Sequence, residues 1–197
     1  MTKRGDSLEL AVLGLLREAP MHGYQLRKRV TTLLGWGRVL SYGSLYPRLK
    51  QMLREGLIAE QPGGADDEGA TGRRGRIVYT LTPQGSERFA QILSATGPSA
   101  WDDDTFGVRF AFFAAATTEA RIRILEGRRS RLEERLDGVR TALARSRERL
   151  DSYTLELQRH QAESVEREVG WLNQLIASER TSQELPTSRP PQGTPQE

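Results

Sequence analysis

The chain has 197 residues, a formal net charge of +3 and no cysteine, which excludes disulfides, thiolate metal sites and a cysteine nucleophile. No apolar run approaches the roughly 20 residues that span a bilayer, and the first apolar stretch, which contains Glu9, lacks a signal-peptide cleavage site, so we expect a cytoplasmic protein. Residues 1–90 hold 14 of the 29 basic residues but only 9 of the 26 acidic ones. The N-terminal part is therefore the one expected to bind a polyanion.

Two helical patterns precede residue 40. Asp6 or Ser7 can cap a helix that runs to about Arg17, and its apolar residues lie on most sides, which predicts burial between neighbours. A break at residues 19–23 separates it from an amphipathic helix over about 22–34 with cations on its outer side. Helices joined by a glycine-containing turn are typical of a helix-turn-helix.

Residues 41–56 are the best candidate for a helix that reads DNA. Leu45, Leu49 and Met52 recur at helical spacing and predict one buried stripe, and Gly56 can end the helix in the left-handed conformation. The opposite face has cations and hydrogen-bonding groups but no acid before Glu55. The residues expected to contact DNA from this helix are Ser44, Tyr46, Arg48, Lys50, Gln51 and Arg54.

The same pattern leaves alternatives open. The helix could be an ordinary amphipathic core helix with a solvated basic face. Tyr46 lies about 60° from the centre of the buried stripe, so it could equally be a core residue with an exposed hydroxyl. Pro47 costs least if the helix starts near Ser44 and the proline falls in the first turn. Which arginine reads a base and which anchors the backbone is not decided by the pattern.

Two short β-prone runs follow, at residues 57–60 and 77–81, and the segment between them is too polar to bury. Thr82 followed by Pro83 predicts the start of a further helix. The order helix, helix, helix, strand, loop, strand predicts a winged helix-turn-helix over residues 1–93. The basic residues of the loop, which form either a solvated charge run or a wing on DNA, are Arg73, Arg74 and Arg76.

Several segments in this order resemble the PadR family of bacterial transcriptional regulators. They are residues 13–16 (LGLL), 20–26 (PMHGYQL), 41–47 (SYGSLYP), 56–58 (GLI) and 74–82 (RGRIVYTLT). The resemblance covers about residues 8–90, and the C-terminal segment is similar to the longer PadR subgroup, which includes virulence-gene activators. It implies a DNA-binding regulator, and some PadR relatives hold flat hydrophobic drugs between helices at the dimer interface.

Residues 94–117 are predicted to form a Gly-, Pro- and Asp-rich connector that ends in an aromatic patch. The simplest interpretation of the patch is core between two domains and across a dimer. The resemblance suggests instead a pocket for a small hydrophobic or aromatic effector. The residues of that possible pocket are Trp101, Phe106, Phe110 and Trp171.

Residues 118–180 carry a heptad pattern that favours an antiparallel helical hairpin with coiled-coil packing, turning near Asp151. We expect too little local core to bury both apolar stripes, so pairing with a second subunit is predicted. The expected dimer-interface residues are Leu125, Leu132, Leu136, Val139, Leu143 and Leu172. Residues 181–197 are Pro-, Ser- and Gln-rich and are expected to be disordered.

The predicted fold is therefore mainly α with a small β-wing: a winged helix-turn-helix followed by a helical dimerisation hairpin. His22 and His160 are the only histidines, and no nucleophile–base pair, metal set or phosphate-binding glycine loop stands out. We predict a PadR-like homodimeric repressor of double-stranded operator DNA that is not an enzyme and needs no cofactor. The alternative is a winged-helix protein-interaction module with a coiled-coil scaffold.

Overall fold

The computed structural model describes residues 3–34, 42–62, 77–146 and 151–184. In these ranges the chain forms helices and three short strands, which confirms a mainly helical fold with a small sheet. The elements in chain order are α1 (Lys3–Glu18), β1 (Met21–His22), α2 (Gly23–Leu34), α3 (Tyr42–Arg54), β2 (Ile58–Pro62), β3 (Ile77–Leu81), α4 (Pro83–Ser94), α5 (Phe106–Ala111), α6 (Thr118–Ser146) and α7 (Ser152–Glu184). They divide into two compact units, Met1–Ile124 and Leu125–Glu197.

Helix α1 lies at the centre of the first unit, in contact with α2, α3, α4 and α5. Val12 and Leu13 are fully buried, which confirms that this helix is covered on most sides. The predicted start was wrong, because the helix already begins at Lys3. Ser7 does not begin the helix; its hydroxyl is 3% exposed and donates to the backbone carbonyl of Asp104 at 2.9 Å.

The sheet is antiparallel with the order β1-β3-β2. Strands β2 and β3 confirm the two predicted runs. Strand β1 was not predicted, because two residues are too few to show an alternating pattern. Its extended conformation comes from pairing with β3, where Met21 lies opposite Tyr79.

The junction between α3, the sheet and α4 is tightly packed. Gly56 adopts φ +69°, as predicted for the residue that ends α3. Thr82 caps α4: its hydroxyl accepts from the amide of Gly85 at 3.0 Å and donates to the carbonyl of Gly56 at 2.6 Å. A Cβ on Gly85 would lie 2.0 Å from the carbonyl oxygen of Leu57, so only glycine allows this approach.

The segment predicted as a connector is folded and belongs to the first unit. It contains α5 between two 3-10 turns. Val108 and Phe112 join the N-terminal core, and the Arg109 guanidinium donates to the carbonyls of Ile92 and Ala95 at the end of α4. The Gly-, Pro- and Asp-rich composition that suggested a linker is confined to residues 94–105, and the apolar residues after it fold against the core.

The second unit is an antiparallel hairpin of α6 and α7, as predicted. Ion pairs join the two helices along their length, from Arg180–Glu126 at 2.5 Å to Arg140–Glu166 at 2.6 Å. Asp151 caps α7, since its carboxylate accepts from the amides of residues 153 and 154 at 3.0 Å. The Thr154 hydroxyl, which donates to the same carboxylate at 2.6 Å, holds the pKa of Asp151 below its usual value together with these amides. Residues 147–150 lie outside the described part.

Four of the six residues predicted at the dimer interface are buried within one copy of the chain. Leu125, Leu132, Leu136 and Leu172 are 1%, 2%, 7% and 0% exposed in a single copy of the chain. These four residues are therefore already covered within one copy of the chain, and their contact with a second subunit stays a prediction. Val139 and Leu143 are half-buried.

Helix α7 continues to Glu184. The rest of the tail predicted to be disordered, residues 185–197, is outside the described residues. No helix among the residues that the structure describes is long and apolar enough to cross a membrane.

Candidate nucleic-acid interface

Helix α3 has the two faces that its sequence predicts. Leu45, Leu49 and Met52 are at most 1% exposed and pack in the core of the first unit. Lys50 and Arg54 are exposed. The helix begins at Tyr42, within the predicted range of residues 41–56. Pro47 therefore lies beyond the first turn, where it is exposed and tolerated within the helix.

Lys50 and Arg54 are the cations of α3 that remain available to a ligand. Neither forms an ion pair with any described residue, and the Arg54 side chain only donates to the backbone carbonyl of Lys50, at 3.3 Å. The two residues are four positions apart, so their Cβ atoms lie on the same side of the helix. They place two positive charges on one exposed face.

Arg48 was expected to contact DNA, but its side chain lies mostly inside the protein. Its side chain is only 10% exposed, and one terminal nitrogen donates to the carboxylate of Glu9, whose side chain is 2% exposed. The other terminal nitrogen donates to Gln51 Oε1 at 2.8 Å. The assignment of Arg48 to the DNA-facing flank of α3 therefore conflicts with its placement, because its guanidinium is already bound inside the protein.

Gln51 is half-buried and both ends of its amide have partners. Besides accepting from Arg48, it donates through Nε2 to Glu55 Oε1 at 2.7 Å. An amide can donate and accept at once, which is what bidentate recognition of adenine requires. Gln51 would have to exchange the partners it has here in order to make such a contact.

Tyr46 is half-buried and packs against the core, as its alternative interpretation allowed. Its hydroxyl and the ring of Tyr79 flank Gly23: a Cβ there would lie 3.6 Å from Tyr46 Oη and 3.3 Å from Tyr79 Cε2. Burial raises the pKa of Tyr79 to about 12, with smaller contributions from the charges of Glu60 and Tyr46. Tyr46 thus joins α3 to the start of α2 and to β3.

Four predicted DNA contacts are not placed by the structure. Ser44 lies within α3, but its side chain is outside the described part. Arg73, Arg74 and Arg76 belong to residues 63–76, which are also outside it. The wing therefore stays a prediction.

Residues 12–91 match the family model of the transcriptional regulator PadR-like family. This match begins within α1, ends within α4 and includes the whole of α3 and the sheet. The N-terminal domain belongs to the PadR-like family. Among proteins of curated function, none matches this sequence.

Solved structures with a similar fold include three structures of two PadR-like proteins. Bacillus subtilis PadR in complex with operator DNA is 21% identical, with a TM-score of 0.41 over 87% of this chain and 98% of that chain. The same protein in complex with p-coumaric acid is 19% identical, with a TM-score of 0.39 over 88% and 99%. A PadR-like regulator from Bacillus cereus is 20% identical, with a TM-score of 0.38 over 89% and 99%.

The outer side of α2 in this PadR-like domain adds two candidates that were not singled out from the sequence. Tyr24 is 58% exposed and Lys28 is exposed. Both line an open groove of about 990 Å³. Arg29, in the same groove, is paired with Glu18 at 2.7 Å. An exposed aromatic residue gives no periodic signal, so only its exposure identifies Tyr24.

The aromatic residues predicted as an effector pocket are divided between the two units. Phe106 is buried, and its ring centre lies 5.9 Å from that of Phe110 and 6.5 Å from that of Phe113. Trp101 is half-buried in the same unit, whereas Trp171 belongs to the second unit and is 39% exposed. The pocket remains a prediction. No cluster of potential metal ligands occurs among the described side chains.

Proposed function

We propose that this PadR-like protein is a transcriptional repressor that binds a pseudo-palindromic double-stranded operator as a homodimer. One observation carries the proposal: Lys50 and Arg54 are exposed and without an ion-pair partner in the described region, on the third helix of a domain that matches a regulator family. Exposed cations without acidic partners are what a polyanion requires.

In this proposal α3 enters the major groove, where guanine presents two acceptors that suit an arginine fork. Arg54 is the candidate for that contact, and Lys50 is a candidate for a phosphate. Gln51 can read a base once it leaves its present partners. Ser44 and the wing residues Arg73, Arg74 and Arg76 complete the proposed surface.

A homodimer would present two α3 helices to half-sites about one helical turn apart, roughly 34 Å. Because the heptad leucines are buried within one chain, the second subunit has other apolar residues available on α7. Tyr153, Leu157 and Trp171 are 87%, 56% and 39% exposed. These residues are the proposed contribution of α7 to the interface.

The proposed effector is a small hydrophobic or aromatic molecule near Trp101, Phe106 and Phe110, with Trp171 as a further candidate. If it binds one arrangement of the dimer better than another, it changes the spacing of the two α3 helices. That change would lower affinity for a two-part operator and release repression.

The test begins with selection of duplexes from a randomised DNA pool by the wild-type protein. Binding of the selected duplex is then measured by fluorescence anisotropy over a range of salt concentrations. Arg54→Ala should lower affinity by about 5- to 150-fold if it reads guanine, and Lys50→Ala should reduce the salt slope by about 1 if it contacts phosphate.

Arg123→Ala is the matched control, since Arg123 is an exposed helical cation of α6 paired with Glu119. It should leave both affinity and salt slope unchanged. Selection of no sequence, or equal losses in Arg54→Ala and Arg123→Ala, would contradict the proposal.

A further inference from the structure

Helix α1 contains a carboxylate in a position that is otherwise apolar. Glu9 is 1% exposed, and its neighbours Leu8 and Leu10 are also buried. A buried carboxylate is costly unless charged hydrogen-bond donors compensate it. The DNA surface described above does not use this residue.

Both oxygens of Glu9 are occupied by arginines from other helices. Oε2 accepts from Arg48 on α3, and Oε1 accepts from the Nε of Arg88 on α4 at 2.8 Å. Arg48 and Glu9 are both nearly inaccessible to solvent, whereas the Arg88 side chain is 39% exposed. Glu9 therefore joins three helices of the PadR-like domain at one point.

The series of hydrogen bonds that begins at Glu9 continues along α3. Arg48 donates to Gln51, and Gln51 donates to Glu55. The Nε of Arg48 is buried without a hydrogen-bond partner in the described region. The two terminal nitrogens of Arg48 therefore make all of its hydrogen bonds that are observed, one to Glu9 and one to α3 itself.

We propose that Glu9 is a positioning residue for DNA recognition: through Arg48 it sets the orientation of α3, and so the direction in which Lys50, Gln51 and Arg54 are presented. This inference rests on the proposed function. It assigns to Arg48 a role inside the protein and not a contact with DNA.

Glu9 and Arg48 can orient α3 because hydrogen bonds between them have a preferred direction. The apolar side of α3, formed by Leu45, Leu49 and Met52, attaches the helix to the core and decides which face points inward, but the hydrophobic effect itself has no preferred direction. Charge-assisted hydrogen bonds are directional, and a buried one is not exchanged with water. The pair of Glu9 and Arg48 supplies the directional constraint that the leucines lack.

The experiment compares Glu9→Gln, Arg48→Met and the double variant with the wild type. Without DNA, hydrogen exchange of the α3 amides is measured together with the melting temperature. With DNA, affinity is measured for the duplex selected by the wild type and for a scrambled duplex, across a range of salt.

The chain offers a matched control. Arg128 in the second unit is similarly covered, with a side chain 9% exposed and paired with Glu168 at 2.8 Å. Arg128→Met therefore removes a buried guanidinium without touching α3. It should lower the melting temperature while leaving α3 exchange and DNA preference as in the wild type.

We expect faster α3 exchange in both single variants and a loss of about tenfold in preference for the selected duplex, with no change in the salt slope. The double variant should lose no more than the worse single variant, because the two residues act as one pair. Arg48→Lys, which keeps the charge, should recover part of the preference lost in Arg48→Met.

A salt slope lower by about 1 in Arg48→Met, with Glu9→Gln behaving as wild type, would show a phosphate contact and overturn the inference. The inference would also be overturned if Arg128→Met, at an equal loss of melting temperature, changed α3 exchange and DNA preference as much as the Glu9 and Arg48 variants do. A wild type that selects no DNA sequence would overturn the proposed function, and the exchange comparison would then decide by itself whether Glu9 orients α3.

Discussion

Gly14 is a residue of α1 at which the first unit leaves no space for a side chain. A Cβ built there would lie 2.3 to 2.6 Å from three atoms of the Phe112 ring. Phe112 in turn packs edge-on against Phe89, with ring centres 5.6 Å apart. The glycine is needed for this close approach of an aromatic ring to the backbone of α1.

Gly14→Ala should therefore destabilise the protein, by about 1–3 kcal/mol, because the added methyl forces the ring or the helix to move. Urea denaturation followed by circular dichroism measures the free energy of unfolding. Gly138→Ala is the control: it lies within α6 with open space around the added methyl, so it should gain up to about 1 kcal/mol. Equal stability of Gly14→Ala and wild type would show that the ring does not pack here.

At the scale of elements, β3 holds the sheet and the helix-turn-helix together. It lies between β1 and β2, and Tyr79 is paired with Met21 on one side and Glu60 on the other. Tyr79 is 7% exposed, and its phenol is held in the neutral form. Ionising it would place a negative charge in this junction.

The pKa of about 12 for Tyr79 predicts a loss of stability in alkali. The unfolded phenol titrates near 10, so the stabilisation is complete below about pH 10 and is lost as the pH rises through 12. Tyr79→Phe should flatten the fall in unfolding free energy between pH 10 and 12. Tyr153→Phe, at an 87% exposed position, should keep the wild-type slope, and identical profiles for the two variants would refute this assignment.

At the scale of the whole molecule, the heptad leucines and the exposed apolar residues have separate roles. Leu132 and Leu172 stabilise the hairpin of one chain, because they are buried in it. Leu157 and Trp171, by contrast, are 56% and 39% exposed on α7. The two sets should therefore respond differently to substitution.

We expect Leu157→Glu and Trp171→Glu to weaken the proposed homodimer while leaving the helices folded. Interface aromatic residues commonly contribute about 2 kcal/mol or more, which corresponds to roughly 30-fold in the dissociation constant. Sedimentation equilibrium measures the association, and circular dichroism checks the fold. Leu132→Ala is the contrasting variant, since it should lower the melting temperature first. A dimer that is insensitive to both glutamates would place the interface elsewhere.

Much of the first unit could be predicted from the sequence because its signals are local. The stripe of Leu45, Leu49 and Met52, the Thr82 cap and the left-handed Gly56 each depend on a few adjacent residues. Strand β1 could not be predicted, because its conformation depends on a partner more than fifty positions away. The folded segment around Phe112 was missed for the same reason.

The sequence by itself determined the order of α1, α2, α3, β2, β3 and α4, the family of the N-terminal domain and the basic face that carries Lys50 and Arg54. Only the tertiary structure decided which cations of α3 remain available to bind a ligand. Arg48 and Arg54 are chemically alike in the sequence, but α1 brings Glu9 against one and leaves the other in solvent. The helical period of the sequence predicts on which side of α3 a residue lies. It does not predict that Arg48 binds Glu9, which lies on α1, 39 positions earlier in the chain.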